Sequence, residues 1–189
     1  MGSALSDPYL SFSAGMNGLA GPLHGLANQE CLNYLLAFKE KYGEGWTRDD
    51  IKQFVADTLA SGKVVPGYGH GVLRKTDPRF ICQLNYADKF IKDDNLIRLV
   101  RANYEEIPKL LAATGKIKNP WPNVDCGSGS LLMYYGLTQH DYYTVLFGVS
   151  RAFGVMPAQV WSRALGLPIE RPNSFDLENL RAKAQAAQK

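Results

Sequence analysis

No stretch of this 189-residue chain approaches the ~18 consecutive apolar residues that a membrane-spanning helix needs, so no helical span is expected. Charge of one sign is lacking too. The 21 Lys+Arg against 18 Asp+Glu leave a formal +3, and the basic residues are dispersed, so the whole-chain field carries no nucleic-acid footprint. Cysteine is sparse: Cys31, Cys82 and Cys126 fit neither a paired disulfide framework nor a zinc pattern, and point to a reducing compartment. The first residues, Met1 to Tyr9, show neither a basic amphipathic stretch nor a signal core, so no targeting segment is expected there. Met1-Gly2 with Ser6 touches the myristoylation pattern, but Asp7-Pro8 follows at once and nothing nearby is polybasic. Internal repeats, low-complexity linkers and sustained period-2 alternation are all absent. What is left is 46% hydrophobic and 21% charged, an ordinary globular composition with room for one sizeable core or two small ones.

The periodicity is helical almost throughout, which predicts a mainly α protein. Leu26 to Tyr42 puts Leu32, Leu35, Leu36 and Phe38 on one stripe and stops at Gly43. Thr47-Arg-Asp-Asp50 reads as a capping box for a second helix with Ile51, Phe54, Val55, Thr58 and Leu59 inward and Gly62 as its stop. Asp77-Pro78 has N-cap and N1 chemistry for a third helix to about Ile91, and a fourth covers about Leu96 to Ala113, where Pro108 should break or kink it. Gly115 to Gly129, rich in Gly, Pro, Asn and Lys, reads as a loop, followed by a short helix from Ser130 to Tyr135. Thr138-Gln-His-Asp141 reads as a second capping box before an apolar helix through Arg151, and Pro157 as the start of a further helix ending near Gly166. Pro168 and Pro172 keep the next segment extended, and the tail from Asp176 reads as a weak surface helix.

Three loops carry the chemistry: Gly18-Leu-Ala-Gly-Pro-Leu-His24, Val65-Pro-Gly-Tyr-Gly-His70 and Asn119-Pro-Trp-Pro-Asn-Val-Asp125. Each places a histidine or an aspartate in a Gly/Pro-punctuated turn beside a helix. Their order and spacing resemble citrate synthase, and the resemblance runs from Ser3 to about Arg171. It implies the family's helical fold, with a large-domain remnant over 1–24, a small domain over 25–132 and large-domain helices and tail over 133–189. It also implies a C-terminal fragment of a longer enzyme, homodimeric and of the mitochondrial matrix.

The activity so implied is an acyl transfer: acetyl-CoA condenses with oxaloacetate, and citryl-CoA is hydrolysed to citrate and CoA without any cofactor. Removing a weakly acidic methyl proton needs a base and an enolate stabiliser acting together. The resemblance assigns Asp125 as the base and His24 as the donor, with a helix N-terminus favouring the neutral imidazole. It assigns His70 as the proton donor to the ketone of oxaloacetate, and Gly67, Gly69 and Gly71 let the backbone approach a ligand. Arg79 and Arg151 match the oxaloacetate-binding arginines, since planar guanidinium forks suit carboxylates, and Arg171 matches one that reaches the partner subunit's site. For CoA the resemblance points to Val64, Val65, Gly67, Tyr68, Gly69, Arg74, Lys116 and Lys118. The chain departs from related mitochondrial-type sequences at Cys126-Gly127, where those often have Ala-His. That departure bears on the setting of Asp125.

Two other classes stand beside this one. Two histidines and an aspartate are also the donors of a 2-His-1-carboxylate iron site, though such sites usually sit on β-rich scaffolds. A non-catalytic folding or dimerisation fragment is the third reading.

Overall fold

The structure, a computed structural model, describes residues 1–115, 117–171 and 176–187. Among the described residues there are helices, turns and a single isolated antiparallel bridge, Tyr68 to Pro122, so the mainly α expectation holds. The α-helices are α1 (Pro8–Leu19), α2 (Ala27–Tyr42), α3 (Arg48–Ala60), α4 (Pro78–Phe90), α5 (Asn95–Ala113), α6 (Asp125–Tyr134), α7 (Tyr143–Ala164) and α8 (Leu177–Ala187). None is long and apolar enough to cross a membrane. The chain divides into two compact units, Met16–Arg151 and Met1–Gly15 with Ala152–Lys189.

The larger unit is organised around a core in which Leu35 and Phe38 of α2, Ile51 and Val55 of α3, Phe80 of α4, and Leu99, Val100, Ile107 and Leu111 of α5 are buried together with Val65 and Cys126, beside a smaller cluster of Ala87, Ile91 and Ile97. Local chemistry places the helices. Thr47 and Asp50 form the reciprocal capping box of α3, with Asp50 N–H donating to Thr47 Oγ1 at 3.3 Å and Thr47 N–H to Asp50 Oδ2 at 2.7 Å. Asp77 caps α4 and Asp94 caps α5 through their carboxylates. α5 is the most deeply buried helix, and it passes through Pro108 without a break. Proline costs a helix interior ~3 kcal/mol. Ile97, Leu99, Val100, Ile107 and Leu111 are each at most 2% exposed, and at roughly 1.5–3 kcal/mol per buried aliphatic side chain their burial exceeds that cost.

Three further expectations need correction. The segment read as a loop to Gly129 is already helical from Asp125, because Gly127 and Gly129 serve close packing. A Cβ on Gly129 would lie 2.8 Å from Asn28 Oδ1 and 3.1 Å from Leu32 Cβ of α2, and one on Gly127 would lie 3.2 Å from the Phe80 ring of α4. The Thr138–Asp141 capping box does not form; a 3-10 turn, His140–Tyr142, begins there without a side-chain cap and leads into α7. α7 also runs through Pro157 as one helix, in an exposed stretch where water can take the Phe153 carbonyl that loses its donor.

In the smaller unit Asp7 caps α1 by accepting the Tyr9 and Leu10 amides, and the Glu170 amide donates to Ser3 Oγ at 3.1 Å. Pro168 lies in a stretch with neither helix nor strand, whereas Pro172 is outside the described residues. Residues 177–182 and 184–187 of α8 are exposed, as expected of a surface helix.

Candidate active site

Within the Met16–Arg151 unit, the turn before α2, the loop before α4, the start of α6 and a turn of α7 converge on a cavity of about 370 Å³ lined by His24, His70, Arg79, Asn123, Asp125 and Arg151. His24 sits on a turn in which its amide donates to the Gly21 carbonyl at 3.1 Å and its carbonyl receives the Ala27 amide at 3.0 Å, starting α2. Its ring meets Phe147 edge-on, centroids 5.4 Å apart, and its Nε2 lies 3.2 Å from Arg151 Nη2. A guanidinium only donates, so Nε2 must accept and the imidazole is the neutral Nδ1–H tautomer. Arg151 itself lies over the Phe147 ring at 5.1 Å.

His70 is oriented by its own loop. Nδ1 accepts the Val72 amide at 3.0 Å and the Leu73 amide at 2.9 Å, which leaves the ring proton on Nε2. The loop is tied to the Asp125 segment by two backbone bonds, Gly69 N–H to the Trp121 carbonyl and Asn123 N–H to the Gly67 carbonyl, each 2.9 Å. Gly67, at φ +80°, lies so close to Cys31 and Cys126 that a Cβ would be 2.8 Å from Cys31 Sγ and 2.9 Å from Cys126 Cα. Cys126 therefore belongs to the packed floor beneath this loop. It is a buried free thiol, as is Cys31, whose own titration is pushed up by its hydrogen bond to Cys126 and by burial.

Asp125 opens α6, its amide donating to Asn123 Oδ1 at 3.0 Å. Burial raises its carboxyl above the usual carboxylate range, while the Arg79 guanidinium pulls the other way. Arg79 is half held by Asp77, a carboxylate 1% exposed that accepts Nη2–H at 2.7 Å and Nε–H at 3.1 Å and is kept below its usual range by that fork.

A second cavity, about 560 Å³, is lined by Pro22, Val64, Val65, Gly67 and Tyr68 and shares Leu23, Ala27, Gly69 and Asn123 with the first. Of the residues expected at a CoA site, those from Val64 to Gly69 line it. Arg74 instead turns onto its own loop, donating to the His70, Gly71 and Leu73 carbonyls. Lys118 is exposed, Lys116 lies outside the described residues, and Arg171 is exposed beyond the end of α7. Sequence reading passed over Asn123, Asp77 as the support of Arg79, and Phe147 as the wall behind His24. The Asn-x-Asp spacing before α6 was the one available signal for the first. Among the described residues no three His, Cys, Asp or Glu side chains converge to hold a metal ion.

Residues 1–173 match the family model described as citrate synthase, C-terminal domain. The chain is 61% identical over 178 residues to citrate synthase 5, mitochondrial, of Arabidopsis thaliana, covering 94% of this chain and 38% of that one. It is 58% identical over 185 residues to the probable citrate synthase, mitochondrial, of Glossina morsitans morsitans, covering 98% and 40%. It thus spans about two-fifths of the length of these relatives. Among solved structures it is similar to citrate synthase from Thermotoga maritima MSB8, with TM-score 0.74 and 28% identity over 93% of this chain and 45% of that one. It shares the fold of citrate synthase from Thermoplasma acidophilum in a ternary complex with carboxymethyl coenzyme A and oxaloacetate, with TM-score 0.75 and 23% identity over the same shares.

Proposed function

The chain belongs to the citrate synthase family, and on that premise we propose that the cavity lined by His24, His70 and Asp125 is the site at which acetyl-CoA condenses with oxaloacetate. The observation that carries the reading is the gathering of a desolvated carboxylate, two neutral imidazoles with assigned tautomers and two guanidinium groups around one space. Asp125, with its raised proton affinity, removes the acetyl methyl proton. The Nδ1–H of His24 stabilises the developing enolate oxygen. The Nε2–H of His70 is delivered to the ketone oxygen as the carbon–carbon bond forms, and Arg79 and Arg151 hold the dicarboxylate. The second cavity takes the CoA arm, with the 64–69 backbone offering its polar groups. Water then cleaves citryl-CoA, and no step calls for a cofactor.

On the same premise residues 25–132 form the small domain between large-domain segments 1–24 and 133–189, and the working enzyme is a homodimer of the mitochondrial matrix in which Arg171 serves the partner's site. The relatives named as mitochondrial support the location. The test is Asp125→Asn in a full-length enzyme carrying this segment. Turnover measured as CoA release should fall by ~10²–10⁴ with oxaloacetate affinity nearly unchanged, and near-normal turnover overturns the assignment.

A further inference from the structure

We propose that Asn123 is a positioning residue that locks the His70 loop and Asp125 to one another, an inference that rests on the roles given above to those two groups. Its side-chain amide is used at both ends: Nδ2 donates to the Gly69 carbonyl at 2.9 Å, and Oδ1 accepts the Asp125 amide at 3.0 Å. Chemistry fixes this orientation, because the reversed amide would set N–H against N–H and oxygen against oxygen. One planar group thus spans from the carbonyl immediately before His70 to the amide of Asp125. It lines both cavities, at their junction.

A helix-capping role alone would need only Oδ1. The Nδ2 arm reaches 54 residues along the chain and contributes nothing to α6. Asn119 supplies an internal comparison. It is 6% exposed, and its Nδ2 donates at 2.8 Å to the carbonyl of Leu73, whose amide holds the His70 ring, while its Oδ1 accepts the Trp121 amide. Asn119 therefore secures the far end of the His70 loop and makes no bond to Asp125.

The test is spectroscopic and needs no turnover. In the isotopically labelled 189-residue chain, ring ¹⁵N shifts report the His70 tautomer and the side-chain ¹³C shift reports the Asp125 titration, whose neighbours are Arg79, Asp77, His24 and His70. With helical circular dichroism unchanged, Asn123→Ala should turn the single Nε2–H tautomer of His70 into a mixture and lower the Asp125 midpoint toward the ordinary ~4, as water reaches the carboxylate. Asn119→Ala should disturb His70 and leave Asp125 where it was. Asn123→Asp, nearly isosteric, keeps the acceptor and loses the donor, so it should loosen His70 even if the alanine variant does not fold. Wild-type signals from both groups in a folded Asn123→Ala chain overturn the proposal. Loss of fold in both Asn123 variants also overturns it, by assigning the residue to the scaffold. A chain whose signals respond as expected but whose full-length counterpart releases no CoA leaves the lock standing and defeats the catalytic reading instead.

Discussion

Asp77 and Asp125 are two carboxylates near one guanidinium with opposite histories. Arg79 holds Asp77 below the usual range, so its contribution to stability is present above about pH 3.9 and is lost as the pH falls through the folded value. Burial lifts Asp125, so folding favours its protonated form: that contribution is present below about pH 3.9 and is lost as the pH rises through the folded value. The two should therefore part company in thermal melts. At pH 7 Asp77→Asn should destabilise by about 1–3 kcal/mol, toward the low end because Arg79 is 60% exposed, whereas Asp125→Asn should raise the midpoint, a gain that closes by about pH 3. A drop in the Asp125→Asn midpoint at pH 7 would count against the burial account. If Arg79 and Arg151 hold the dicarboxylate as proposed, Arg79→Lys or Arg151→Lys should weaken oxaloacetate binding by about tenfold or more, as charge-assisted bonds of that strength imply, with acetyl-CoA binding little changed. Isotherms for both ligands check it, and a loss confined to CoA would redraw the pocket.

At the scale of elements, α2 to α4 were readable because each announces itself locally, through Gly43, the Thr47–Asp50 box and Asp77-Pro78, and α5 was readable in its extent but not in its passage through Pro108. α1 offered the same Asp-Pro signal at Asp7-Pro8 and was passed over. What misled were glycine and proline. Their local meaning is to interrupt, but Gly127, Gly129 and Pro108 are placed by neighbours distant in sequence, and no window of the chain shows a neighbour. The site divides likewise. The residue types and their order around His24, His70 and Asp125 could be read, whereas the ring orientations depend on where the Val72 and Leu73 amides and the Arg151 guanidinium arrive in space. The glycine account is testable. Gly129→Ala, which by helix propensity alone would stabilise by ~1 kcal/mol, should instead destabilise by about 1–3 kcal/mol, because α2 and α6 must separate. Denaturant unfolding decides between the two signs.

For the molecule as a whole, Phe153 is 79% exposed, Val160 and Trp161 each 65% and Leu165 64%, all on α7 or just past its end. Scattered apolar residues are ordinary on a surface, but a run of this kind on one helix favours association. The purified chain should therefore elute above 20.9 kDa with a concentration-dependent profile, and should release little CoA alone, regaining activity when the N-terminal part of a full-length relative is added. Robust turnover by the chain alone would remove the need for complementation. The short clasp between Gly67–Gly69 and Trp121–Asn123 carries a consequence for folding kinetics. Its bonds close a circuit of more than fifty residues, and closing a loop of that length costs entropy that no local contact returns. The helices can form early from their own neighbours, while the clasp must wait for α3, α4 and α5 to pack. Native-state amide exchange at Gly69 and Asn123 thus becomes a clock for the assembled site, ticking faster than the amides of α5 whenever the two loops come apart without the core.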